Sequence, residues 1–321
     1  MRAIKIGRPN TAELVDIEPR EPAPGEARVT VVVASMCATD RKLYRRGADP
    51  PVVPGHEISG RLADGSFVVV HPDIGCGSCS QCRAGFQNRC PDRVSIGLGR
   101  DGGFAEQVVV PISHVLPTGG VDVADAALLE PLACVVHAVG TLGIRPGEPA
   151  AVVGAGAMGV LAMWVLKDRG ARVAIIERSE VRRELASELG ADAALSLDDD
   201  AAHALGDLPH AYVVAAPGAE ALDLALRRVA VGGVVHAFAG TPGGAQIDAN
   251  LVHYRHLRLV GSTGSNLSDM QQAIELVSGG AVPLKRLPVE TIALEEVPAA
   301  LEKPQDPRIL KVLIDVQGGS R

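Results

Sequence analysis

Apolar and polar positions change their pattern near residue 122. Before that point, short β-rich stretches such as 28–34, 66–71 and 104–111 are separated by segments rich in proline and glycine, which predicts an irregular β domain. After it, apolar strands alternate with helical stretches of ten or more residues, which is typical of a parallel sheet with crossover helices. The sequence therefore predicts an α/β protein with two domains.

The clearest part of the second region is a strand, turn, helix and strand in succession. A strand is predicted over 150–153, then a glycine-rich turn, a helix that ends near residue 169, and a second strand over 172–176. Two more helices, over 179–189 and 220–229, alternate with strands over 212–215 and 234–238. The predicted divisions of the chain are 1–121, a doubly wound nucleotide-binding domain over 122–265, and a carboxy-terminal segment over 266–321.

Composition and charge exclude several classes of protein. Hydrophobic residues make up 47% of the 321 residues and charged residues 21%, which is enough to bury a sizeable core. The net charge of -7 and the absence of a basic run argue against a nucleic-acid partner. The amino terminus lacks the apolar region of a signal peptide, and no apolar run is long enough to span a membrane. We expect a cytoplasmic protein without a membrane partner.

Four of the six cysteines are crowded into the segment GCGSCSQCRAGFQNRC, at Cys76, Cys79, Cys82 and Cys90. Four thiolates on one short loop can surround a single zinc ion tetrahedrally. Free or disulfide-linked thiols are the alternative, which the density of cysteines and a reducing compartment disfavour. Since all four positions are protein ligands, the segment predicts a structural zinc site.

A second candidate site is dispersed along the chain. Cys37, His56, Glu57 and Glu130 offer a thiolate, an imidazole and carboxylate oxygens, which suit a zinc ion that keeps one position open. Each residue alone is weak evidence, because a lone cysteine is usually a core thiol and a lone histidine after glycine usually ends a loop. Their joint presence predicts a catalytic zinc.

The turn after the strand over 150–153 reads GAGAMG and supplies the candidate cofactor residues Gly154, Gly156, Met158 and Gly159. Its glycines permit a tight turn and the close approach of a pyrophosphate to the start of the next helix. Glu177, at the end of the following strand, can accept the ribose hydroxyls of NAD and repel a 2′-phosphate. Arg178 beside it can hold a 2′-phosphate or lie in solvent. NAD is therefore favoured, with NADP as the alternative.

Taken together, these motifs identify a family that the chain resembles along its whole length. The matching segments are CATD at 37–40, PGHEISG at 54–60, the cysteine loop at 76–90, GGFAEQVVVP at 102–111, LLEPLACVVHAV at 128–139, GAGAMG at 154–159 and KVLIDV at 311–316. The chain resembles the zinc-containing medium-chain dehydrogenase/reductase family, in its sorbitol and threonine dehydrogenase branch. The resemblance implies a GroES-like catalytic domain, completed by the returning carboxy-terminal segment, a Rossmann domain, two zinc ions per chain, and a homodimer or homotetramer.

The resemblance also assigns roles to single residues. It implies that the catalytic zinc is held by Cys37, His56, Glu57 and Glu130, the last bound directly or through the zinc water. Asp40 matches a carboxylate that orients the ligand imidazole, and Thr39 matches the hydroxyl that relays the substrate proton. Lys42 departs from the pattern, since many relatives carry histidine there, so the outer end of the proton relay is open.

The predicted activity is hydride transfer between a secondary alcohol, or its ketone, and NAD(P). Only 2% of the residues are aromatic, which favours a small polar substrate such as a polyol, sugar, cyclitol or aminocyclitol, or hydroxy amino acid. Two alternatives are a zinc-free NADPH reductase of the quinone or enoyl type and a cofactor-binding subunit without turnover. The retained zinc ligands argue against both.

Overall fold

The described part of the chain, residues 1–318 of a computed structural model, divides into two units. The first contains Met1–Ala133, Gly264–Ser278 and the segment from Pro288 to residue 318, and the second contains Cys134–Thr263 and Gly279–Leu287. The chain thus changes unit later than the boundary predicted at 121/122. Residues 279–287 also belong to the second unit, although the sequence predicts one continuous returning segment over 266–321.

The first unit is built mainly from short strands. These are β1 (Arg2–Ile6), β2 (Ala12–Asp16), β3 (Glu26–Met36), β4 (Glu57–Arg61), β5 (Phe67–Val70), β6 (Asp73–Ile74), β7 (Val94–Ser95), β8 (Gln107–Pro111), β9 (Val115–Pro117), β16 (Val289–Ala293) and β17 (Lys311–Asp315). Its helices are α1 (Ala38–Arg46), α2 (Ser80–Arg83), α3 (Val123–Ala126), α10 (Leu267–Ser278) and α11 (Val297–Glu302). Helix α4 (Leu129–Gly140) begins in this unit and ends in the second.

A seven-stranded sheet forms the centre of the first unit. The strand order is β16-β17-β3-β4-β5-β9, and β8 pairs with the first half of β3. Valine is the most frequent residue of β3 and β5, and branched side chains suit a pleated, half-buried surface. Ile58, Val70 and Ile314 are fully buried together with Phe104 in the core of this unit. The sheet brings the end of β3 and the starts of β4 and β17 to one edge.

The second unit is a parallel sheet with helices between its strands. The strands are β10 (Pro149–Val153), β11 (Arg172–Ile176), β12 (Ala193–Leu195), β13 (Ala211–Val214), β14 (Val234–Ala237) and β15 (Arg258–Gly261). The helices are α5 (Ala157–Asp168), α6 (Glu180–Glu188), α7 (Ala201–Leu205), α8 (Ala219–Arg228) and α9 (Ala249–Tyr254). All neighbouring strands are parallel, in the order β12-β11-β10-β13-β14-β15, which is the doubly wound arrangement of dinucleotide-binding domains.

The middle strands of this parallel sheet are buried on both faces. All five residues of β10 are buried, as are four of the five residues of β11. Uninterrupted apolar strands of this kind are typical of sheets covered by helices on each face. The strand order reverses beside β10, and in such sheets ligands bind past the carboxyl ends of the strands at the reversal. The turn after β10 is therefore the place to look for a cofactor.

The helices of the described residues are short. The longest have 12 residues, whereas an α-helix needs about 20 apolar residues to cross the hydrocarbon core of a bilayer. Among residues 1–318, no helix has the length and apolarity to do so.

Candidate active site and metal centres

Three strands of the first unit deliver charged or metal-binding residues to the same edge of the sheet. β3 ends at Met36, directly before Cys37, while β4 starts at Glu57 and β17 starts at Lys311. The antiparallel register sets Ser35 opposite Glu57, and β17 pairs with the same end of β3. Residues far apart in the sequence therefore meet because the sheet aligns the ends of their strands.

Three of the predicted zinc ligands lie together at this edge. The sulfur of Cys37, a ring nitrogen of His56 and a carboxylate oxygen of Glu57 are all within 4.8 Å of one another. The side chain of His56 is 12% exposed, its buried Nδ1 has no hydrogen-bond partner, and Glu57 is 1% exposed. A thiolate, an imidazole and a carboxylate are a donor set that zinc accepts. The residues present therefore fit a zinc ion.

Asp40 joins the two backbone segments that carry Cys37 and His56. Its Oδ2 accepts the N–H of Cys37 at 2.8 Å, and its Oδ1 accepts the N–H of Gly55 at 3.2 Å. The Nδ1 of His56 lies 3.7 Å from Oδ1 of Asp40, which is longer than a hydrogen bond. Asp40 is fully buried, and this burial raises its pKa. Asp40 thus fixes the backbone on both sides of the candidate metal site.

Lys311 is a further charged residue of this site, and none of the predicted zinc, proton-relay or cofactor positions includes it. It is 5% exposed, its Nζ contacts both carboxylate oxygens of Glu57, and it lies 3.4 Å from the carbonyl oxygen of Met36. An unpaired buried ammonium is strongly unfavourable, so Glu57 supplies the required countercharge. The available clue in the sequence is a lysine at the head of the segment KVLIDV, in which the next three residues are apolar.

The charges around this group favour a cation within it. Burial is the largest influence on His56 and disfavours its charged form, yet the anionic groups around it, Cys37 and Asp40 foremost, raise its pKa well above the ordinary value. Lys311 behaves in the same way. Burial is the largest influence and lowers its pKa, but the surrounding anionic groups, Glu57 and Cys37 foremost, together raise it above the ordinary value. A site with this surplus of negative charge is suited to a divalent metal ion.

The other predicted residues of the site differ in how closely they approach the metal-binding group. Glu130 lies in the first turn of α4 and is 6% exposed. It lies outside the close group of three described ligands, although its charge acts on both His56 and Lys311. Thr39 is half-buried, and its N–H points to the sulfur of Cys37 at 3.5 Å. Lys42 is exposed on α1.

The four cysteines of the loop around α2 form the second metal-binding group, with all sulfur atoms within 4.8 Å of one another. Backbone N–H groups point to three sulfurs, from Cys76 to Cys90 at 3.3 Å, from Cys79 to Cys76 at 3.4 Å and from Cys82 to Cys79 at 3.4 Å. Hydrogen bonds, foremost the one from the hydroxyl of Ser78, lower the pKa of Cys76 to about 6. Burial raises the pKa of Cys82 to about 12. Four sulfur donors fit a closed zinc site, in which the ion would hold all four as thiolates.

The glycine-rich turn joins β10 to α5 in the second unit. Gly154 has a φ of +104°, and a side chain at Gly159 would collide with the carbonyl oxygen of Gly154. Gly156 precedes α5 without any side-chain cap from the described residues, so the N–H groups of the first turn are available to an outside acceptor. The pyrophosphate of a dinucleotide fits such a helix start.

Glu177 follows β11 at the same edge of the parallel sheet. Its two carboxylate oxygens accept the N–H groups of Ala155 and Ser179, each at 2.9 Å. A carboxylate oxygen can accept two hydrogen bonds, so acceptor positions remain for ribose hydroxyls. Arg178 is exposed and Met158 is half-buried. The structure therefore groups the predicted cofactor residues around the turn, with Glu177 fixed to the turn's own backbone.

A zinc-type donor set on a β-rich unit and a dinucleotide turn on a doubly wound unit define the class of a zinc-dependent dehydrogenase. Residues 23–120 match the model of the alcohol dehydrogenase GroES-like domain, and residues 157–279 match that of the zinc-binding dehydrogenases. The chain belongs to the zinc-containing medium-chain dehydrogenase family. The predicted fold class and the predicted class of enzyme, an NAD(P)-dependent alcohol dehydrogenase, are confirmed.

Two similar proteins are named as dehydrogenases of an alditol and of a hydroxy amino acid. The chain is similar to D-altritol 5-dehydrogenase of Agrobacterium fabrum, with 33% identity over 97% of this chain and 98% of the relative. It is also similar to L-threonine 3-dehydrogenase of Pyrococcus abyssi, with 32% identity over 80% of each chain. These relatives favour a zinc-dependent dehydrogenase over a zinc-free reductase or a subunit without turnover.

Two solved structures share the fold along nearly the whole chain. An alcohol dehydrogenase of E. coli CFT073 in complex with NADH has a TM-score of 0.92 and 26% identity, covering 98% of this chain and 99% of its own. A protein of Sinorhizobium meliloti 1021, described as a zinc-binding dehydrogenase and bound to NADP, has a TM-score of 0.88 and 29% identity, covering 98% of this chain and all of its own. Both nicotinamide cofactors therefore occur among proteins of this fold.

Proposed function

We propose that this protein transfers hydride between NAD and a secondary alcohol of a polar substrate, which is a polyol, sugar, cyclitol, aminocyclitol or hydroxy amino acid. The meeting of Cys37, His56 and Glu57 at one edge of the first unit's sheet carries the proposal. A dehydrogenase needs a group that makes an alcohol acidic and a cofactor that accepts hydride. The donor set provides for the first and the glycine turn for the second.

The substrate class is supported by composition and by the relatives. Phenylalanine, tyrosine and tryptophan make up 2% of the chain, which is little material for a pocket that binds flat or long apolar alcohols. A polyol and a hydroxy amino acid, as in the names of the two relatives, carry a secondary hydroxyl beside other polar groups. A substrate of this kind offers several hydroxyl, amino or carboxylate groups for recognition.

The residues of the first unit take separate roles in this proposal. Cys37, His56 and Glu57 would hold the catalytic zinc, with Glu130 bound to it directly or through water. Bound there, zinc supplies Lewis acidity that lowers the pKa of the substrate hydroxyl. Thr39 receives the hydroxyl proton and passes it outward, and Asp40 keeps the ligands in place. The cysteine loop would hold the second zinc and serve stability.

The second unit would bind the cofactor with a preference for NAD over NADP. Gly154, Gly156, Met158 and Gly159 form the turn that faces the pyrophosphate. Glu177 is the carboxylate for the adenosine ribose, since it is anchored to the turn by the N–H of Ala155. A 2′-phosphate would meet the negative charge of Glu177 at close range, and the exposed Arg178 is the residue on which NADP binding would depend.

The two units correspond, in this proposal, to a GroES-like catalytic domain and a Rossmann domain, although they do not divide the chain at the bounds predicted from the sequence, 1–121, 122–265 and 266–321. The protein would form a homodimer or homotetramer through β15, which ends the parallel sheet and has three exposed residues among its four. An edge strand of this kind leaves backbone groups for pairing with another copy. The cytoplasm is the proposed compartment, because all six cysteines are free of disulfides and five of them belong to the two candidate metal-binding groups.

The proposal is tested by substrate profiling of the purified zinc-loaded protein. Alditols, sugars, cyclitols, aminocyclitols, threonine and a simple aliphatic secondary alcohol are each supplied with NAD⁺ and with NADP⁺, and reduction is followed at the absorbance of the nicotinamide. We expect the highest kcat/KM for a polar substrate with NAD⁺. An aliphatic alcohol as the best substrate would refute the polar pocket, and equal use of both cofactors would refute the role of Glu177.

A further inference from the structure

We propose that Lys311 is a positioning residue that keeps Glu57 a displaceable ligand of the catalytic metal. The inference rests on the proposed zinc site at Cys37, His56 and Glu57, and it concerns how one position of that site stays open. The carboxylate of Glu57 faces both the candidate metal position and the ammonium of Lys311. One of its oxygens lies among the metal-binding atoms, and both of its oxygens contact the ammonium of Lys311.

The fold makes this shared carboxylate a fixed feature. Glu57 and Lys311 are 254 residues apart and start the two strands that pair with the end of β3. Both side chains are almost completely buried, with 1% and 5% exposure, so water does not screen their interaction. The Nζ of Lys311 also lies 3.4 Å from the carbonyl oxygen of Met36, next to the ligand Cys37. The ammonium is therefore held on the side of Glu57 by the sheet itself.

The charges give this contact a consequence for metal binding. A zinc ion with four protein ligands is closed and structural, whereas a catalytic zinc needs a position that water or substrate can take. Cys37, His56 and Glu57 together with Glu130 would complete four protein ligands if both carboxylates bound fully. Because Lys311 competes with the metal for the carboxylate of Glu57, it weakens that ligand. The fourth position then remains exchangeable.

A purely structural ion pair would behave differently. It would affect the stability of the fold and leave the release of zinc unchanged. The shared carboxylate instead predicts that loss of the ammonium makes zinc harder to remove, because Glu57 then no longer shares its negative charge between Lys311 and the metal. Zinc release and turnover therefore move in the same direction, and neither needs to follow thermal stability.

The experiment measures zinc release to a chromophoric chelator. The zinc-loaded wild type is compared with K311M, K311R, the double variant E57Q/K311M, and K303M as a matched control at an exposed lysine of the same unit. A C37S variant identifies the kinetic phase that belongs to the catalytic ion, since the four-cysteine loop retains its own. Circular dichroism and thermal melts with and without zinc accompany each measurement.

We expect K311M to release the catalytic zinc at least tenfold more slowly and to lose at least 100-fold in kcat, with K303M unchanged in both. K311R restores the cation and is expected within threefold of the wild type. The double variant should return to the wild-type release rate, because the neutral amide of Gln is a poor zinc ligand. Its melting temperature without zinc should exceed that of K311M, which leaves Glu57 buried and unpaired.

Release from K311M at the wild-type rate or faster would overturn the role of Lys311, as would slow release from the double variant. If K311M does not fold, K311R and the double variant test the proposal instead. Zinc release slowed more than tenfold in either variant would overturn the role of Lys311. The zinc site itself is judged separately. If C37S keeps both zinc ions, the proposed site is wrong, whereas C37S with one zinc and K311M with unchanged release refutes only the positioning role.

Discussion

The two candidate metal centres of the first unit are assembled in opposite ways. The four cysteines of the loop lie within 76–90, and three backbone N–H groups of that loop point to their sulfurs. The ligands of the other centre come from the end of one strand and the start of another, and their countercharge comes from a third strand near the carboxy terminus. One centre is formed by a single short segment, whereas the other is formed by residues that the pairing of distant strands brings together.

Exposure differs between the centres as well. Cys76 is exposed and only Cys90 of the four cysteines is buried, whereas Asp40, Glu57 and Lys311 are all buried. Charges placed inside a protein require partners, so the dispersed centre carries a network of fixed contacts that the loop does not need. We therefore expect the loop to bind metal as a nearly independent element. The dispersed centre depends on the packing of the whole unit.

The largest expected effect comes from removing a ligand of the dispersed centre. C37S should lower kcat/KM by at least ~10⁴-fold, equivalent to about 5 kcal/mol of transition-state stabilisation. The reason is that the loss of the thiolate removes the metal on which substrate activation depends. Elemental analysis should show one zinc per chain instead of two, and the circular dichroism spectrum should not change.

C134A is the control for this substitution. Cys134 is a half-buried cysteine of α4 that belongs to neither metal-binding group of the described residues, so its replacement should leave both zinc content and turnover near the wild-type values. Equal loss of activity in C37S and C134A would contradict the assignment of Cys37.

The next effect concerns the loop. C90S removes the one buried cysteine of the four-cysteine group, and the loop should lose its zinc. Loss of a structural metal is among the few single changes that destabilise a protein strongly, by about 4 kcal/mol. For a unit of this size that corresponds to a fall of roughly 10 °C in melting temperature.

Turnover separates the two centres in this variant. Measured at 20 °C, well below the melting temperature, kcat of C90S should stay within about threefold of the wild type, because a closed site takes no part in the chemistry. A loss of activity as large as that of C37S would show that the centres are coupled, and the comparison between them would fail.

The same contrast explains how much could be predicted from the sequence. The spacing of the four cysteines is visible in a short window, and so is the glycine turn with its flanking strands, because local spacing fixes both. The strands over 172–176 and 234–238 are predicted to within a residue of β11 and β14, since buried parallel strands are continuous apolar runs. These parts of the fold need no knowledge of long-range pairing.

The dispersed centre could be predicted only in part. The joint presence of its ligands and the family resemblance predict them. The pairing of β17 with β3, which brings Lys311 to Glu57, gives no local pattern in the sequence. The change of unit at 133/134 is hidden for a similar reason, because α4 continues across it without a break in helical pattern. The periodicity of apolar residues along the chain does not show which strands become neighbours, so it cannot predict contacts that depend on strand pairing.

The smallest expected effect tests whether the fixed contacts of the dispersed centre matter for its chemistry. D40N replaces a carboxylate that accepts the N–H groups of Cys37 and Gly55. Asn retains one acceptor oxygen, so its amide nitrogen must face one of the two N–H donors and the ligand backbone loses a hydrogen bond. Changes to residues that hold metal ligands typically lower metal affinity or activity by about 10- to 100-fold.

The readout is the zinc affinity of the dispersed centre and kcat/KM, both measured beside D64N, a substitution in the exposed hairpin between β4 and β5. We expect D40N to weaken both quantities while the cysteine loop keeps its zinc, and D64N to change neither. Zinc loss from the loop in D40N would mean that Asp40 supports the unit as a whole. A drop confined to the dispersed centre would show that this centre depends on single backbone hydrogen bonds, here the two that Asp40 accepts beside the metal ligands.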